Sequence, residues 1–419
     1  MKKINLEKQD LCVYTENICG LDVYVVPKKA NSCYAVYTTK YGSIDSTFLL
    51  DGETKVTPLG VAHFLEHKMF ESEKGEDPFT FYAKNGADAN ASTSYYKTSY
   101  LFSGCNCFEE NLNFLLDYVN NPYFTDENVL KEQGIIGQEI EMVRDDPYRR
   151  MYEEIMSNVF VNHPIKNSVI GSKESIASIK ADDLYTIYNS FYTPSNMFLV
   201  VTGNVDENNV FELVKENLSK KEFNKLNASK IEYDEPDKVN RASSSIIMDV
   251  TVPKCSYTYK INIKDLKLSK YDILMYASIY LNSKFGQASI LSEKLKNKSL
   301  ISETLGFDTD IVGNHLVMTI FGESKNYEEL LKCINREIEN KNINEEDFDR
   351  YKKVLISNLI YSSENIYSIN DSIITSIIRY GKYEDRYKLL SKLNIEEYEK
   401  FINHLNFDNN SSFVIKNND

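Results

Sequence analysis

The sequence predicts an α+β fold built from two similar halves. Short strands rich in β-branched and aromatic residues alternate with amphipathic helices, and the order of elements starts again after a polar segment. The chain has 419 residues, which exceeds one ordinary hydrophobic core. We therefore predict an N-terminal α+β domain over residues 1–218, a linker over 219–242 and a C-terminal α+β domain over 243–419.

Composition and charge exclude several classes of protein. The net charge of −14 argues against nucleic acid as a partner, because binding to phosphates requires clustered Lys and Arg. The seven cysteines are scattered and form no C-x-x-C pair, which predicts free thiols and a cytoplasmic protein. The first residues contain no apolar core of a signal peptide, and the longest apolar runs are far shorter than a membrane span. We expect no membrane association.

Periodicity places the elements of the first half. The sequence predicts strands over 21–26 and 32–38, a helix with Thr57 as its N-cap and Pro58 at its first position, a strand pair across 87–103 and a buried strand over 197–203. Further helices are predicted over 111–120, 126–144, 150–160 and 181–191.

The second half repeats this order without the motif described next. We predict strands over 245–252, 255–263, 303–324 and 413–415, and helices over 269–283, 288–297, 327–340, 345–363 and 369–380. The two halves are therefore interpreted as a diverged duplication.

Residues 63–67 read His-Phe-Leu-Glu-His, the pattern H-x-x-E-H. At about 100° per residue, the polar residues of this helix share one face, and an apolar stripe of Val61, Leu65 and Met69 occupies the other. His63 and His67, four residues apart, can bind one zinc ion, and Glu66 can take a proton from water beside it. Two surface histidines on an amphipathic helix are the alternative interpretation.

A catalytic zinc site needs a third protein ligand. In the predicted helix over 126–144, Glu132 and Glu139 are seven residues apart and return to the same face. We predict Glu139 as the third ligand and Glu132 as a second acid one layer away. Glu141 lies about 200° from Glu139 on that helix and should point elsewhere. Solvated helix glutamates are the alternative.

These residues resemble the inverzincin metallopeptidases of the pitrilysin, insulinase and mitochondrial-processing-peptidase family. Residues 60–70 are similar to the motif helix of that family, and Glu132 with Glu139 to its E-x6-E element. Residues 90–94, which read Asn-Ala-Ser-Thr-Ser, are similar to its substrate-pairing strand. The chain is most similar to short bacterial members that often occur as subunit pairs.

The resemblance implies an architecture and an activity. Two α+β halves would form one bowl, and two bowls would close into a clamshell chamber around an extended peptide. One Zn²⁺ per chain would be held by His63, His67 and Glu139, with Glu66 as general base. Substrate would add as a strand along Asn90 and Ala91.

One departure from the family concerns the second half. Lys296 and Ser302 stand where the family carries an Arg and a Tyr that contact substrate, so Lys296 is a candidate substrate-binding residue. We expect a homologous partner subunit to supply the Arg and Tyr, with a homodimer as the alternative. A non-catalytic peptide-binding or assembly subunit of the same fold, and a zinc hydrolase of other substrates, are the competing hypotheses.

Overall fold

The computed structural model of the chain describes residues 1–73, 75–223 and 226–417. Its strands are β1 (Lys2–Leu6), β2 (Leu11–Ile18), β3 (Leu21–Pro27), β4 (Cys33–Thr39), β5 (Thr47–Leu50), β6 (Glu53–Val56), β7 (Ala87–Thr93), β8 (Thr98–Gly104), β9 (Met197–Gly203), β10 (Ala228–Lys230), β11 (Ser243–Ile247), β12 (Lys254–Asn262), β13 (Gly306–Val312), β14 (His315–Glu323) and β15 (Asn410–Lys416).

The helices accompany these strands along the chain. They are α1 (Val61–Lys68), α2 (Pro78–Lys84), α3 (Phe108–Val119), α4 (Asp126–Arg144), α5 (Pro147–Val159), α6 (Lys173–Ala177), α7 (Ala181–Phe191), α8 (Glu207–Leu218), α9 (Lys270–Phe285), α10 (Ile290–Asn297), α11 (Tyr327–Ile338), α12 (Glu345–Ser362), α13 (Ile366–Tyr380), α14 (Arg386–Lys392) and α15 (Ile395–His404). Mixed strands and helices confirm the predicted α+β class.

The chain forms two compact units that are discontinuous in sequence. The first comprises residues 1–140, 168–231 and 359–387, and the second comprises 141–167, 232–358 and 388–419. The units therefore differ from the contiguous domains 1–218 and 243–419 expected from the sequence. One boundary, between residues 231 and 232, falls inside the predicted linker, where β10 pairs with β5. Residues 224 and 225 of that linker lie outside the described part of the chain.

The first unit contains a seven-stranded sheet in the order β1-β2-β3-β9-β4-β8-β7. Strand β9 is buried at every residue, as its continuous apolar run predicts, and pairs parallel with β3 and antiparallel with β4. Helix α13 packs on one face through Ile369, Ile373 and Ile377, against Val36 and Val200 among others. Strand β7 lies at the edge of the sheet.

The second unit contains a five-stranded sheet in the order β11-β15-β12-β14-β13. Helix α5 packs against β15 and β12, and α9 packs against β13. A buried ion pair joins Lys260 of β12 to Glu235 at 2.6 Å, and Glu235 also accepts from the backbone N–H groups of residues 161–163. Within the described ranges, no helix combines the length and apolar character needed to cross a membrane.

Candidate metal centre

Helix α1 carries the H-x-x-E-H residues in the first unit. It begins at Val61, with Gly60 as its N-cap in the left-handed region at φ 85°. The expected start at Thr57-Pro58 is therefore wrong, because Thr57 instead uses its hydroxyl and its N–H to donate to the carbonyl oxygen of Ser46, both at 2.8 Å. The apolar residues Val61 and Leu65 are buried, which holds the helix against the protein interior.

The structure brings His63, His67 and Glu139 together. One carboxylate oxygen of Glu139 lies 3.6 Å from His63 Nε2, and the other lies 3.6 Å from His67 Nε2. The three possible ligand atoms all lie within 4.8 Å of one another. Ligand atoms bound tetrahedrally at zinc distances are roughly 3.3–3.6 Å apart. Two imidazoles and a carboxylate in this spacing therefore fit a zinc ion.

Glu132 lies behind His67 and not among the ligand atoms. Its Oε1 is 3.0 Å from His67 Nδ1, which is the ring nitrogen on the side away from Glu139. Burial lowers the pKa of His67, but the hydrogen bond and charge of Glu132, together with the charges of Glu139 and Glu66, outweigh burial and raise it overall. Burial raises the pKa of Glu132, but contact with His67 and the positive charges of Lys68 and Lys131 lower it overall. From this position Glu132 can orient the His67 ring; the catalytic role expected for Glu132 stays a prediction.

Glu66 is buried beside the cluster. Burial raises the pKa of its carboxyl group, although Thr93 opposes this by donating from its hydroxyl and its N–H. Its Oε2 is buried and has no hydrogen-bond partner among the described residues. A buried carboxylate with an available oxygen is suited to accept a proton from a water molecule.

The expected substrate strand is β7, an edge strand that pairs antiparallel with β8 and with no other described strand. Asn90 is exposed and Ala91 is partly exposed. The N–H of Ala91 donates to the side-chain oxygen of Asn90 at 2.8 Å. Thr93, at the end of the same strand, contacts Glu66, so this edge leads directly to the candidate centre.

Comparison with known proteins assigns the family. The model for insulinase, peptidase family M16, matches residues 53–173, and the model for the peptidase M16 inactive domain matches residues 178–355. The uncharacterized zinc protease YmfH of Bacillus subtilis is 42% identical over 316 residues, covering 74% of this chain and 73% of that relative. The chain belongs to the M16 peptidase family. This confirms the resemblance inferred from the motif.

Solved structures of M16-like proteins share the fold. A crystal structure described as an M16-like peptidase from Alicyclobacillus acidocaldarius has a TM-score of 0.89 and 28% identity, covering 97% of this chain and 98% of that one. A protease from Helicobacter pylori has a TM-score of 0.79 at 19% identity, covering 96% and 99% of the two chains, and shows the fold alone.

Lys296 belongs to the second unit, in the region that matches the M16 inactive domain. Its ammonium group is exposed and donates to Thr304 Oγ1 at 3.2 Å. The substrate-binding role of Lys296 stays a prediction. Glu141, expected to point away from Glu139, forms an ion pair with Arg144 at 3.1 Å.

Sequence reasoning missed two residues of this M16 centre. Thr93 donates to Glu66, and its position at the end of the edge strand was the available signal. Lys68 follows His67 directly and is fully buried next to Glu132. The sequence signal for Lys68 is that it lies three residues after Leu65, on the same face of α1 as the apolar stripe.

Proposed function

We propose that this M16 chain is a zinc-dependent endopeptidase that cleaves peptides or short unfolded polypeptides. The cluster of His63, His67 and Glu139, with ligand atoms within 4.8 Å of one another, carries the proposal. Relatives named zinc proteases support zinc as the metal. Zinc, when bound, supplies Lewis acidity that makes a water molecule more acidic and polarises a carbonyl group.

Glu66 is the proposed general base. Its available Oε2 would take a proton from the attacking water and later give it to the leaving amine. Burial raises the pKa of Glu66, which makes its carboxylate a stronger base. Thr93 holds the carboxylate in place, while Glu132 keeps the His67 ring oriented.

Substrate would bind as an additional strand along β7. An edge strand offers backbone groups to an extended peptide, and such pairing reads the peptide backbone more than its side chains. The N–H of Ala91 now donates to Asn90, and we propose that a substrate carbonyl replaces the Asn90 oxygen. This arrangement would suit many sequences and would require the substrate to be unfolded.

We also propose that the chain is the zinc-bearing subunit of a cytoplasmic heterodimer. Lys296 and Ser302 occupy the positions where the family carries Arg and Tyr, and a homologous partner would supply both. Two such chains would close into a chamber around the peptide. The seven cysteines are free, in agreement with a reducing compartment. A homodimer is the alternative assembly.

The direct test is Glu66→Gln. The variant should retain zinc, because Glu66 is not among the proposed ligands, and its kcat on an unfolded peptide should fall by about 10²–10⁴-fold. His67→Ala is the contrasting variant and should lose the metal, as measured by elemental analysis. Full activity of Glu66→Gln would overturn the role of Glu66, and a metal-free wild-type protein would overturn the zinc site.

The same Glu66→Gln variant can report the assembly. Recovered from its own host and measured by native mass spectrometry, it should carry one zinc ion, a second polypeptide of similar size and a trapped peptide. A self-paired species would replace the heterodimer by a homodimer. A metal-free assembly would favour the non-catalytic subunit instead.

A further inference from the structure

A lysine occupies the apolar stripe of the motif helix. Positions 61, 65 and 68 fall within roughly 60° around a helix, and Val61 and Leu65 there are buried. The Lys68 side chain is 0% exposed. Burying an ammonium group is unfavourable unless opposite charge and hydrogen-bond acceptors compensate for the lost water. The surroundings of Lys68 should therefore show what it does.

Among the described residues, three oxygen atoms lie near the Lys68 ammonium group. Its Nζ is 2.7 Å from Glu71 Oε2, 3.2 Å from the carbonyl oxygen of Asn128 and 3.7 Å from Glu132 Oε2. Asn128 and Glu132 are one turn apart on α4, the helix that also carries Glu139. Lys68 thus links the helix that provides both histidines to the helix that provides the third ligand.

The Glu132 carboxylate lies between Lys68 and His67. Its Oε2 faces the ammonium group, and its Oε1 is 3.0 Å from His67 Nδ1. When Nδ1 donates to a carboxylate, the imidazole presents an unprotonated Nε2 to a metal. Without the ammonium group, Oε2 of this buried carboxylate would lose its charged partner. The Glu132 carboxylate would then be free to rotate away from His67.

We propose that Lys68 is a positioning residue of the metal centre, which fixes the orientation of the Glu132 carboxylate and thereby holds His67 Nε2 towards Glu139. The inference rests on the proposed zinc site. Lys68 acts through Glu132 and contacts no ligand atom of the cluster. Its contribution should therefore appear in metal affinity, independently of any substrate.

The test is Lys68→Met, which removes the charge and keeps an unbranched side chain. The zinc dissociation constant, measured by competition with a chromogenic chelator, should rise by about 10- to 100-fold, as expected for loss of support to a ligand. Lys131→Met is the matched control, because Lys131 is an exposed lysine next to Glu132 on α4. It should change the constant by less than about twofold, since water screens an exposed charge.

A double-mutant cycle separates positioning from simple structural support. In a Glu132→Gln background, Lys68→Met should weaken zinc binding by less than about threefold, because the group that it orients is gone. An unchanged zinc constant in Lys68→Met with a lower melting temperature of the metal-free protein would overturn the proposal. If Lys68→Met does not fold, Lys68→Gln is measured with the same expectation. Failure of the wild-type protein to bind zinc would instead overturn the proposed function.

Discussion

His67 has a defined role for each ring nitrogen. Nδ1 meets Glu132 at 3.0 Å and Nε2 lies 3.6 Å from Glu139, so contact with Glu132 orients the ring with Nε2 towards Glu139. Preorganised ligands bind metal without first losing side-chain freedom. In the second unit, the buried Lys260 ammonium group is likewise held by a carboxylate, that of Glu235.

We expect His163 to make the stability of the protein depend on pH. His163 accepts a hydrogen bond from the N–H of Ile165 at 3.2 Å, and burial lowers the pKa of His163 to about 4. The ordinary value is 6.5, so between pH 6.5 and 4 the unfolded chain binds a proton that the folded chain does not. The free energy of unfolding should therefore fall as pH falls through this window, by up to about 1.4 kcal/mol per pH unit from this group.

His163→Asn should remove that contribution. Asparagine keeps an oxygen that can accept from Ile165, but it does not titrate. Urea unfolding at several values between pH 4 and 6.5 would measure the slope for both proteins. Equal slopes in the variant and the wild type would contradict the assignment to His163.

At the scale of elements, the start of α1 depends on close backbone packing. A Cβ on Gly60 would lie 2.5 Å from the carbonyl oxygen of Ile170, and a Cβ on Gly171 would lie 2.5 Å from that of Leu59. Both glycines also have positive φ, at 85° and 77°. The two segments therefore cross at a distance that side chains would prevent, and this crossing fixes where the motif helix begins.

Gly60→Ala should consequently destabilise the protein by about 2–4 kcal/mol, through a strained φ and a backbone clash. Gly134→Ala is the matched control, since Gly134 lies within α4 and a Cβ there meets nothing within 4 Å. It should stabilise by about 0.5–1 kcal/mol, because alanine favours the helix. The denaturant midpoint of unfolding measures the change in stability of each variant. Similar midpoints for Gly60→Ala and Gly134→Ala would refute the predicted difference.

At the scale of the whole molecule, each compact unit includes a segment that is distant in sequence. In the first unit, the segment 359–387 contributes α13, whose Ile373 and Ile374 are buried against Val36 and Phe198. A sheet face without this helix would expose a continuous apolar surface. The core of the first unit therefore requires chain from beyond residue 358.

A fragment of residues 1–218 should accordingly fail to fold cooperatively. We expect a broad urea transition and strong binding of a hydrophobic dye, because the face that α13 covers would meet water. In the full chain, Ile373→Ala is the milder companion and should cost about 2–5 kcal/mol. A sharp two-state transition of the fragment would show that α13 is dispensable.

Local pattern predicted most elements well. The predicted helix 181–191 and strand 197–203 coincide with α7 and β9, because both have strong and uninterrupted periodicity. Strands β1, β2, β5, β6 and β10 were missed. Of these, β10 has only three residues and pairs with β5 from a distant part of the chain, so its pairing leaves no local signal. The discontinuous units were missed for a similar reason, because packing between distant segments leaves no local signal.

The sequence by itself determined the α+β class, the H-x-x-E-H helix and the candidate ligands, because helical spacing places His63, Glu66 and His67 on one face. Only the tertiary structure shows which atoms the two carboxylates on α4 meet. Glu139 reaches the Nε2 atoms while Glu132 meets Nδ1 and Lys68. These distances depend on how α4 packs against α1, across more than 60 residues of chain, and spacing along one helix cannot specify that packing.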